Sequence, residues 1–318
     1  MRGHYTAAMR WAWLLALLLS LPLRAQEAPE WFAQSLLNLP DEVADAAREG
    51  KRVMLYFGQP GCPYCKQLME VNFRQRPIAE RMQKEFVSIE LSIFGDREVT
   101  WTDGHETTEK KLAAELQVQY TPTLVFLEEK GGVAHRLNGY YPPPRFLAAL
   151  DQAWGRAPSP SAREGSPQMA DEAFLVRLKD LRRGKPLAVL FETPYCAECE
   201  ELHASLRHPA VRAELAKYDV VRFALSSSDV ITTPGGRQAK VSEWARALRI
   251  DYVPTIVLFD AGGTERLRMA AYFRAFHVAG SLAYVSSGAW QSEPSLQRFL
   301  QARGDALRRQ GKPVDLWD

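Results

Sequence analysis

The chain of 318 residues is predicted to fold as two tandem α/β domains followed by a helical tail. The first observation is a Cys-x-x-Cys motif, at residues 62–65 and again at 196–199, each time directly after a run of strand-forming residues. The second is a Tyr-x-Pro-Thr motif, whose proline lies 60 positions after the first cysteine in one half and 58 in the other. A repeat of about 132 residues is typical of a duplicated domain, because solenoid repeats are much shorter.

Residues 1–25 have the pattern of a secretory signal peptide. Arg2 and Arg10 precede an apolar run from Trp11 to Leu23, and Ala25 supplies a small residue at the expected cleavage position. A membrane-spanning helix needs about 20 apolar residues, so a cleaved peptide is favoured over an uncleaved anchor. Translation from Met9 is an alternative start. The sequence therefore predicts an exported protein located in the periplasm.

The charge balance limits the classes of partner. Residues 1–25 carry three arginines and no acidic residue, so their removal changes the formal net charge from +2 to −1. A nearly neutral mature protein gives no reason to expect nucleic acid or anionic lipid as a partner.

The first predicted domain covers residues 26–154. Its first helix has acidic residues in the first turn and ends at a glycine. Its strands are rich in β-branched and aromatic residues, and a Lys-Gly-Gly turn joins the last pair. The predicted order is helix 40–50, strand 53–57, a helix from 62, a helical turn from 77, strand 86–94, an insertion at 95–105, a helix from 107 or 108, strand 124–127, strand 133–137 and helix 145–154.

The remaining segments follow from composition and from the repeat. Residues 155–167 are rich in proline, serine and glycine without apolar periodicity, which indicates a linker. Residues 168–290 form the second domain, with the same order of motifs as the first. Residues 291–318 form a C-terminal extension, in which a helix from Pro294 to about Arg309 is expected to pack onto the second domain.

The Cys-x-x-Cys motifs point to dithiol–disulfide exchange. The N-terminus of a helix offers free N–H groups and roughly half a positive charge, and both stabilise a thiolate at the first cysteine. The second cysteine lies one turn into the helix, close enough to attack a mixed disulfide. The predicted catalytic residues are therefore Cys62 and Cys65, with Cys196 and Cys199 as a second exchange site.

The surroundings of the two motifs differ in charge. Lys66 follows the first motif and favours a thiolate, and Pro63 stiffens its turn. Acidic residues surround the second motif, and like charge disfavours a thiolate. We therefore expect a less acidic nucleophile and a more stable disulfide at the second site, or an idle disulfide. The acidic residues concerned are Glu192, Glu198, Glu200 and Glu201.

Other uses of the cysteines are disfavoured. Zinc sites of two Cys-x-x-Cys pairs usually separate the pairs by about 15–20 residues, whereas 130 separate them here. A c-type haem needs histidine after the second cysteine, where Lys66 and Glu200 stand. We expect no cofactor and no metal, because the redox-active disulfides themselves carry the electrons. Near the second site, His203 or His208 could tune a thiol, although His208 is expected to cap a helix.

The order of motifs in each half resembles that of the thioredoxin superfamily. In each half, a strand is followed by a Cys-x-x-Cys motif at a helix N-terminus and, about 60 residues later, by an aromatic-x-Pro-Thr motif. The resemblance covers about residues 30–154 and 168–290. The first half also resembles SoxW-type exported thioredoxins of sulfur-oxidising bacteria. That narrower resemblance rests on residues 62–65, 94–100, 107–112 and 120–123.

The resemblance implies two thioredoxin-like domains, each with a mixed central sheet flanked by helices. It implies that each first cysteine is exposed and nucleophilic, and that Pro122 and Pro254 are cis and face the motifs. Tyr140 and Tyr141 are expected to flank the first site. The predicted substrate-binding residues are Thr121, Pro122, Val253, Pro254, Pro63 and Tyr64.

Two positions depart from the family pattern. Thioredoxins often place a buried acid six residues before the first cysteine, to accept the proton of the resolving cysteine, but Tyr56 and Leu190 stand there. The tryptophan that often precedes the first cysteine is replaced by Gly61 and Tyr195. Proton transfer must then use water, a neighbour such as Tyr56, or no dedicated group.

These observations predict an exported thiol–disulfide oxidoreductase that works in the reductive direction, as the SoxW-type resemblance implies. Its expected partners are a disulfide-containing protein or sulfur compound as substrate, and a membrane thiol protein as electron donor. The alternatives are a periplasmic disulfide oxidase or isomerase, and a non-catalytic binding module that uses the thioredoxin-like fold.

Overall fold

The computed structural model describes residues 28–157, 165–182, 184–271, 273–312 and 314. The predicted signal peptide at 1–25 and the middle of the predicted linker, residues 158–164, lie outside the described residues. None of the helices in the described ranges combines the length and the apolar character that crossing a membrane requires.

The first domain is a mixed four-stranded sheet with helices on both faces. The strand order is β2-β1-β5-β6, where β1 and β2 are parallel and β5 runs antiparallel to both of its neighbours. The elements are α1 Leu39–Arg48, β1 Arg52–Gly58, α2 Pro63–Gln67 continuing as a π-helical turn Leu68–Asn72, α3 Arg76–Glu85, β2 Phe86–Ser92, β3 Glu98–Thr100, β4 Glu106–Thr108, α4 Glu109–Glu115, β5 Thr123–Leu127, β6 Val133–Asn138 and α5 Pro143–Ala153.

The second domain repeats this architecture with the order β12-β11-β7-β8. The predicted fold class, two mixed α/β domains and a C-terminal helix, is confirmed. The elements are β7 Leu187–Glu192, α6 Ala197–Arg207, α7 Pro209–Leu215, β8 Asp219–Ala224, β9 Val230–Thr232, β10 Gln238–Lys240, α8 Val241–Ala247, β11 Thr255–Phe259, β12 Glu265–Met269, α9 Ala275–Ser286, a 3₁₀ turn Ala289–Gln291 and α10 Leu296–Arg309.

Each central strand is buried on both faces. Alternate side chains of a strand point to opposite faces, so β1 sends Met54 and Tyr56 into one apolar cluster and Leu55 and Phe57 into another. The cluster that holds Met54 also contains Leu190 of β7 and thus joins both domains. The strand before each Cys-x-x-Cys motif is therefore held rigidly from both sides.

The segment 95–105, which we expected as an insertion, contains strand β3. This strand pairs with β4, which follows the segment, as a short antiparallel hairpin, and β9 and β10 form the same hairpin in the second domain. Strands of three residues are too short for an alternating pattern to be recognised in the sequence.

The two domains pack through equivalent surfaces, and from the Tyr-x-Pro-Thr motif onward residues 132 positions apart occupy equivalent places. Phe273 packs on Tyr120 with ring centroids 4.5 Å apart, and Tyr141, which is equivalent to Phe273, packs on Tyr252 at 4.3 Å. Each contact thus appears twice with the roles of the domains exchanged. This reciprocity is the property of an isologous, pseudo-two-fold interface.

Gly139 and Ala271 are equivalent residues and meet each other in this interface. A Cβ atom on Gly139 would lie 2.8 Å from the Cβ of Ala271, closer than two carbon atoms can approach. Gly139 also has φ of +97°, a conformation that favours glycine. Because these two equivalent residues, one from each domain, touch each other, they lie next to the pseudo-two-fold axis.

The C-terminal helix α10 packs along α9 of the second domain, as expected, and also reaches the first domain. Leu300 lies against Gly280 of α9, where glycine allows the close approach. Gln297 donates to the carbonyl oxygen of Gln119 at 2.9 Å and accepts from the amide of Gln59 at 2.9 Å. The tail therefore ties the two domains together beside the first Cys-x-x-Cys motif.

The packing at the axis predicts that Ala271→Arg separates the domains. A guanidinium at this buried position has no room and no partner, and burying an unpaired charge costs several kcal/mol. Small-angle X-ray scattering should show a larger radius of gyration for Ala271→Arg than for the wild type. Ala261→Arg, in an exposed turn, is the matched control. Equal radii for all three proteins would contradict the described interface.

Candidate active sites

The first Cys-x-x-Cys motif lies where β1 turns into α2. Gly61, with φ of +72°, makes the turn before Cys62, which is the N-cap residue of the helix. The N–H group of Cys65 donates to the Sγ of Cys62 at 3.1 Å, and the two cysteines form a disulfide with a Cα–Cα distance of 5.2 Å. After reduction, the same N–H group and the helix terminus stabilise a thiolate at Cys62.

The loop with the predicted substrate-binding residues faces this motif. The Thr121–Pro122 peptide bond is cis, as the resemblance implies, and the Thr121 carbonyl oxygen is 3.3 Å from the Sγ of Cys62. The Val253–Pro254 bond of the second domain is also cis.

The expectation that Cys62 is exposed is wrong for this arrangement of the domains. Cys62 retains 3% of its accessible surface and Thr121 retains 5%. The cause is the domain interface, because Tyr120, directly before Thr121, packs against Phe273 and its hydroxyl lies 3.0 Å from the Oγ of Ser281. The second domain thus covers Thr121, one of the predicted substrate-binding residues.

Tyr64, the second variable residue of the first motif, is the side chain that enters the second domain. Its hydroxyl accepts the N–H group of Arg274 at 2.9 Å and lies 3.3 Å from Nδ1 of His277. Burial lowers the pKa of His277 to about 4, so the ring is neutral at pH 7. Neutral Nδ1 can accept the Tyr64 proton while the Tyr64 oxygen accepts from Arg274. Sequence reasoning placed Tyr64 at a substrate surface but missed its partner.

The second motif has the same local geometry. Cys196 is the N-cap residue of α6, the N–H group of Cys199 donates to its Sγ at 3.1 Å, and the disulfide has a Cα–Cα distance of 5.2 Å. Cys196 is 3% exposed. The expected exposure of this cysteine is also wrong in the described arrangement.

The end of the predicted linker covers the second motif. The N–H group of Tyr195 donates to the carbonyl oxygen of Ser166 at 2.7 Å. A Cβ atom on Gly165 would lie 2.8 Å from the nitrogen of Ala197, so the backbone passes directly over the motif. Nothing in the sequence indicated this contact, because the segment has no periodicity.

Most of the acidic residues at the second motif have partners. Glu198 forms a bidentate ion pair with Arg145 at 2.8 and 3.3 Å, in the position equivalent to the Tyr64–His277 contact. Glu200 accepts the N–H group of Ser166. These contacts offset part of the repulsion that we expected at a Cys196 thiolate.

His203 and Glu192 belong to a buried network next to the second motif. His203 lies between Glu192, at 2.9 Å from Nε2, and Glu172, at 3.1 Å from Nδ1. His208 instead caps α7, because its Nδ1 accepts the N–H group of Ala210 at 3.2 Å. Capping was the expected role of His208.

Tyr56 occupies the position of the acid found in many thioredoxins, but it cannot replace that acid as a base. Burial, together with the charge of Glu90, raises the pKa of Tyr56 well above its ordinary value. The phenol keeps its proton at neutral pH. Leu190, the equivalent residue, has no titratable group.

No group of three or more His, Cys, Asp or Glu side chains is arranged to hold a metal ion within the described ranges. The chemistry visible at both sites is that of the cysteine pairs.

Comparison with known proteins defines the class. The sequence profile of the thioredoxin-like domain matches residues 39–154 and 181–286, which together make up more than half of the chain. The chain belongs to the thioredoxin-like domain family, and it contains that domain twice. No curated protein matches the chain.

Three solved structures with similarity to the chain each match less than half of it. A thioredoxin-fold protein from Helicobacter pylori has 18% identity, with coverage of 41% of this chain and 88% of its own and a TM-score of 0.36. A thioredoxin from Thermus thermophilus has 30% identity, coverage of 37% and 84%, and a TM-score of 0.30. The C-terminal domain of DsbD from Neisseria meningitidis, in its oxidised form, has 18% identity, coverage of 36% and 92%, and a TM-score of 0.29.

The buried position of His277 predicts that acid destabilises the interface. The pKa of His277 is near 6.5 in the unfolded chain and about 4 in the folded chain. The contribution of His277 to the free energy of unfolding is therefore fully present above pH 6.5 and is lost as the pH falls to 4. The loss attributable to His277 is about 3 kcal/mol. Urea unfolding between pH 7 and 4 should show a shallower pH dependence for His277→Gln than for the wild type. Identical pH profiles for His277→Gln and the wild type would contradict this role.

Proposed function

We propose that the protein is an exported thiol–disulfide oxidoreductase. It uses Cys62 and Cys65 to reduce the disulfides of its substrates, and Cys196 and Cys199 form a second exchange site. The observation that carries the proposal is the shared geometry of the two motifs. In each, the sulfur of the first cysteine accepts the N–H group of the second, at a helix N-terminus and in a domain with a cis-proline loop.

The exchange proceeds in two steps. The Cys62 thiolate attacks one sulfur of a substrate disulfide, which releases one substrate thiolate and leaves a mixed disulfide on Cys62. Cys65, after losing its proton, attacks the Sγ of Cys62 and releases the second thiolate. Two electrons pass from the cysteine pair to the substrate, and the released thiolates take up the protons. Because Tyr56 stays protonated and buried, we assign the acceptance of the Cys65 proton to water.

Export and direction are supported by the sequence. The pattern at residues 1–25 supports a periplasmic location. The resemblance of residues 62–65, 94–100, 107–112 and 120–123 to SoxW-type thioredoxins supports reduction rather than oxidation. In an oxidising compartment, the cysteine pairs then require electrons from a membrane thiol protein.

A binding module is the second candidate function, because burial of Cys62 and Cys196 favours it. In that case neither cysteine forms mixed disulfides with other proteins in the cell. Variants that lack the resolving cysteine, Cys65→Ser and Cys199→Ser, retain such adducts if exchange occurs, and the captured proteins can be identified by mass spectrometry. Adducts at Cys62 would exclude a purely structural module.

The proposed chemistry predicts that Cys62→Ser abolishes disulfide reduction at the first site. The assay is reduction of insulin with dithiothreitol as the electron source. Insulin reduction should be faster with the wild type than without protein. Cys62→Ser should lose most of this rate increase, and Cys196→Ser should lose a smaller part of it. A serine hydroxyl is not an effective nucleophile toward disulfides, whereas the cysteine thiolate is. An unchanged rate for Cys62→Ser would contradict the assignment.

A further inference from the structure

A short segment upstream of β7 crosses the second Cys-x-x-Cys motif. We call this segment, residues 165–172, the strap. A carbonyl oxygen of the strap accepts the N–H group of Tyr195 at 2.7 Å, and a Cβ atom on Gly165 would lie 2.8 Å from the nitrogen of Ala197. Cys196 lies between these two contacts and is 3% exposed. The strap therefore packs against the backbone immediately before and after the first cysteine of the motif.

We propose that the strap is an autoinhibitory cover of the second exchange site. While the strap is in place, the sulfur of a partner cannot reach Cys196, and exchange at this site requires that the strap move away. The proposal rests on the proposed function, in which Cys196 is the nucleophile of the second site. It concerns a different cover from that of Cys62, because the first site is covered by the opposite domain, whereas the strap lies on the domain that carries Cys196.

One end of the strap is anchored by charged groups on α6. The carboxylate of Glu172 is 8% exposed, accepts from Arg207 at 2.7 and 2.9 Å, and lies 3.1 Å from Nδ1 of His203. Hydrogen bonds between charged groups are stronger than those between neutral groups. Four residues further on, the N–H group of Val176 donates to the carbonyl oxygen of Val220 at 2.8 Å, beside the edge strand β8. The chain is therefore fixed to the second domain at this end.

The other end of the strap is held much less firmly. Residues 165–168 are exposed to solvent, although they lie over a buried cysteine. A segment with few buried apolar contacts opens locally at a small cost in free energy, while the rest of the domain stays folded. The strap can therefore leave the motif while the anchor at Glu172 stays in place.

The strap also supports an unfavourable backbone conformation at the second motif. Tyr195 has φ of +55°, which is rare for a residue with a side chain, and its N–H group is the one that the strap accepts. Gly61 holds the corresponding place directly before the first cysteine of the first motif, with φ of +72°. A Cβ atom on Gly61 would have no atom of the described residues within 4 Å, its chain neighbours aside. The cover at this point of the motif is thus a property of the second site.

The test measures how fast iodoacetamide alkylates Cys196 in the reduced full chain. Ala271→Arg is the parent protein, because we expect that the opposite domain no longer faces the second motif in this variant. Alkylation is followed by peptide mass spectrometry over a range of pH, and the plateau at high pH gives the rate constant of the thiolate. This rate constant reports access to the sulfur and does not depend on the fraction of Cys196 that is ionised.

Gly165→Val should raise this rate constant about 10-fold, because valine has no room beside Ala197 and the hydrogen bond of the closed strap is lost. Gly155→Val is the matched control. Gly155 also has positive φ, +66°, but a Cβ atom there would meet no atom of the described residues within 4 Å, its chain neighbours aside. The rate constant of this control should stay within about twofold of the parent value.

A second pair of variants tests the anchor. Glu172→Gln keeps the shape of the side chain but removes the charge that binds Arg207 and His203, so it should raise the rate constant for Cys196 about threefold or more. Asp171→Asn makes the same change of charge at an exposed neighbour and should stay within about twofold of the parent.

If Gly165→Val and Glu172→Gln both leave the rate constant for Cys196 unchanged, the strap does not control access and the proposal is wrong, even where the unfolding temperature falls. Failure of the proposed function gives a different result. In that case the strap variants still react faster with iodoacetamide, but Cys62→Ser and Cys196→Ser reduce insulin as fast as the wild type.

Discussion

The structure depends on the reciprocal aromatic packing between the two domains. Phe273 on Tyr120 and Tyr141 on Tyr252 are the same contact made twice about a pseudo-two-fold axis, with Gly139 and Ala271 meeting beside it. Aromatic pairs of this kind contribute about 0.5–1.5 kcal/mol each beyond the area that they bury. Because the tyrosines directly precede the residues beside the cis prolines, the surfaces that stabilise the interface are also those expected to bind substrate.

This double use of one surface links stability to function. While the domains are packed together, Thr121 is unavailable to a protein chain, so exchange with proteins requires that the interface open. The contacts that must break include Tyr64 with His277 and Glu198 with Arg145, which connect the variable residue of each motif to the other domain.

The sequence predicts the individual domains well and their relation poorly. The strand before each cysteine pair, the helix after it and the cis-proline loop follow from local patterns that repeat at a fixed interval. The hairpin β3–β4 was missed because its strands are short and partly polar. The interface was missed because its contacts join residues far apart, although one sign was present: the repeat retains aromatic residues at 120 and 252 and at 141 and 273. Retention of large apolar residues next to both active sites is expected when those sites face each other rather than water.

The burial of Cys62 by the second domain is tested most directly by the size dependence of its alkylation. The reduced protein is treated with iodoacetamide or with a polyethylene-glycol maleimide, and modification of Cys62 is followed by peptide mass spectrometry. Relative to Ala271→Arg, in which the domains are expected to separate, the wild type should react far more slowly with the polymer reagent and only slightly more slowly with iodoacetamide. If the polymer modifies Cys62 in the wild type as fast as in Ala271→Arg, the domains do not cover the first site.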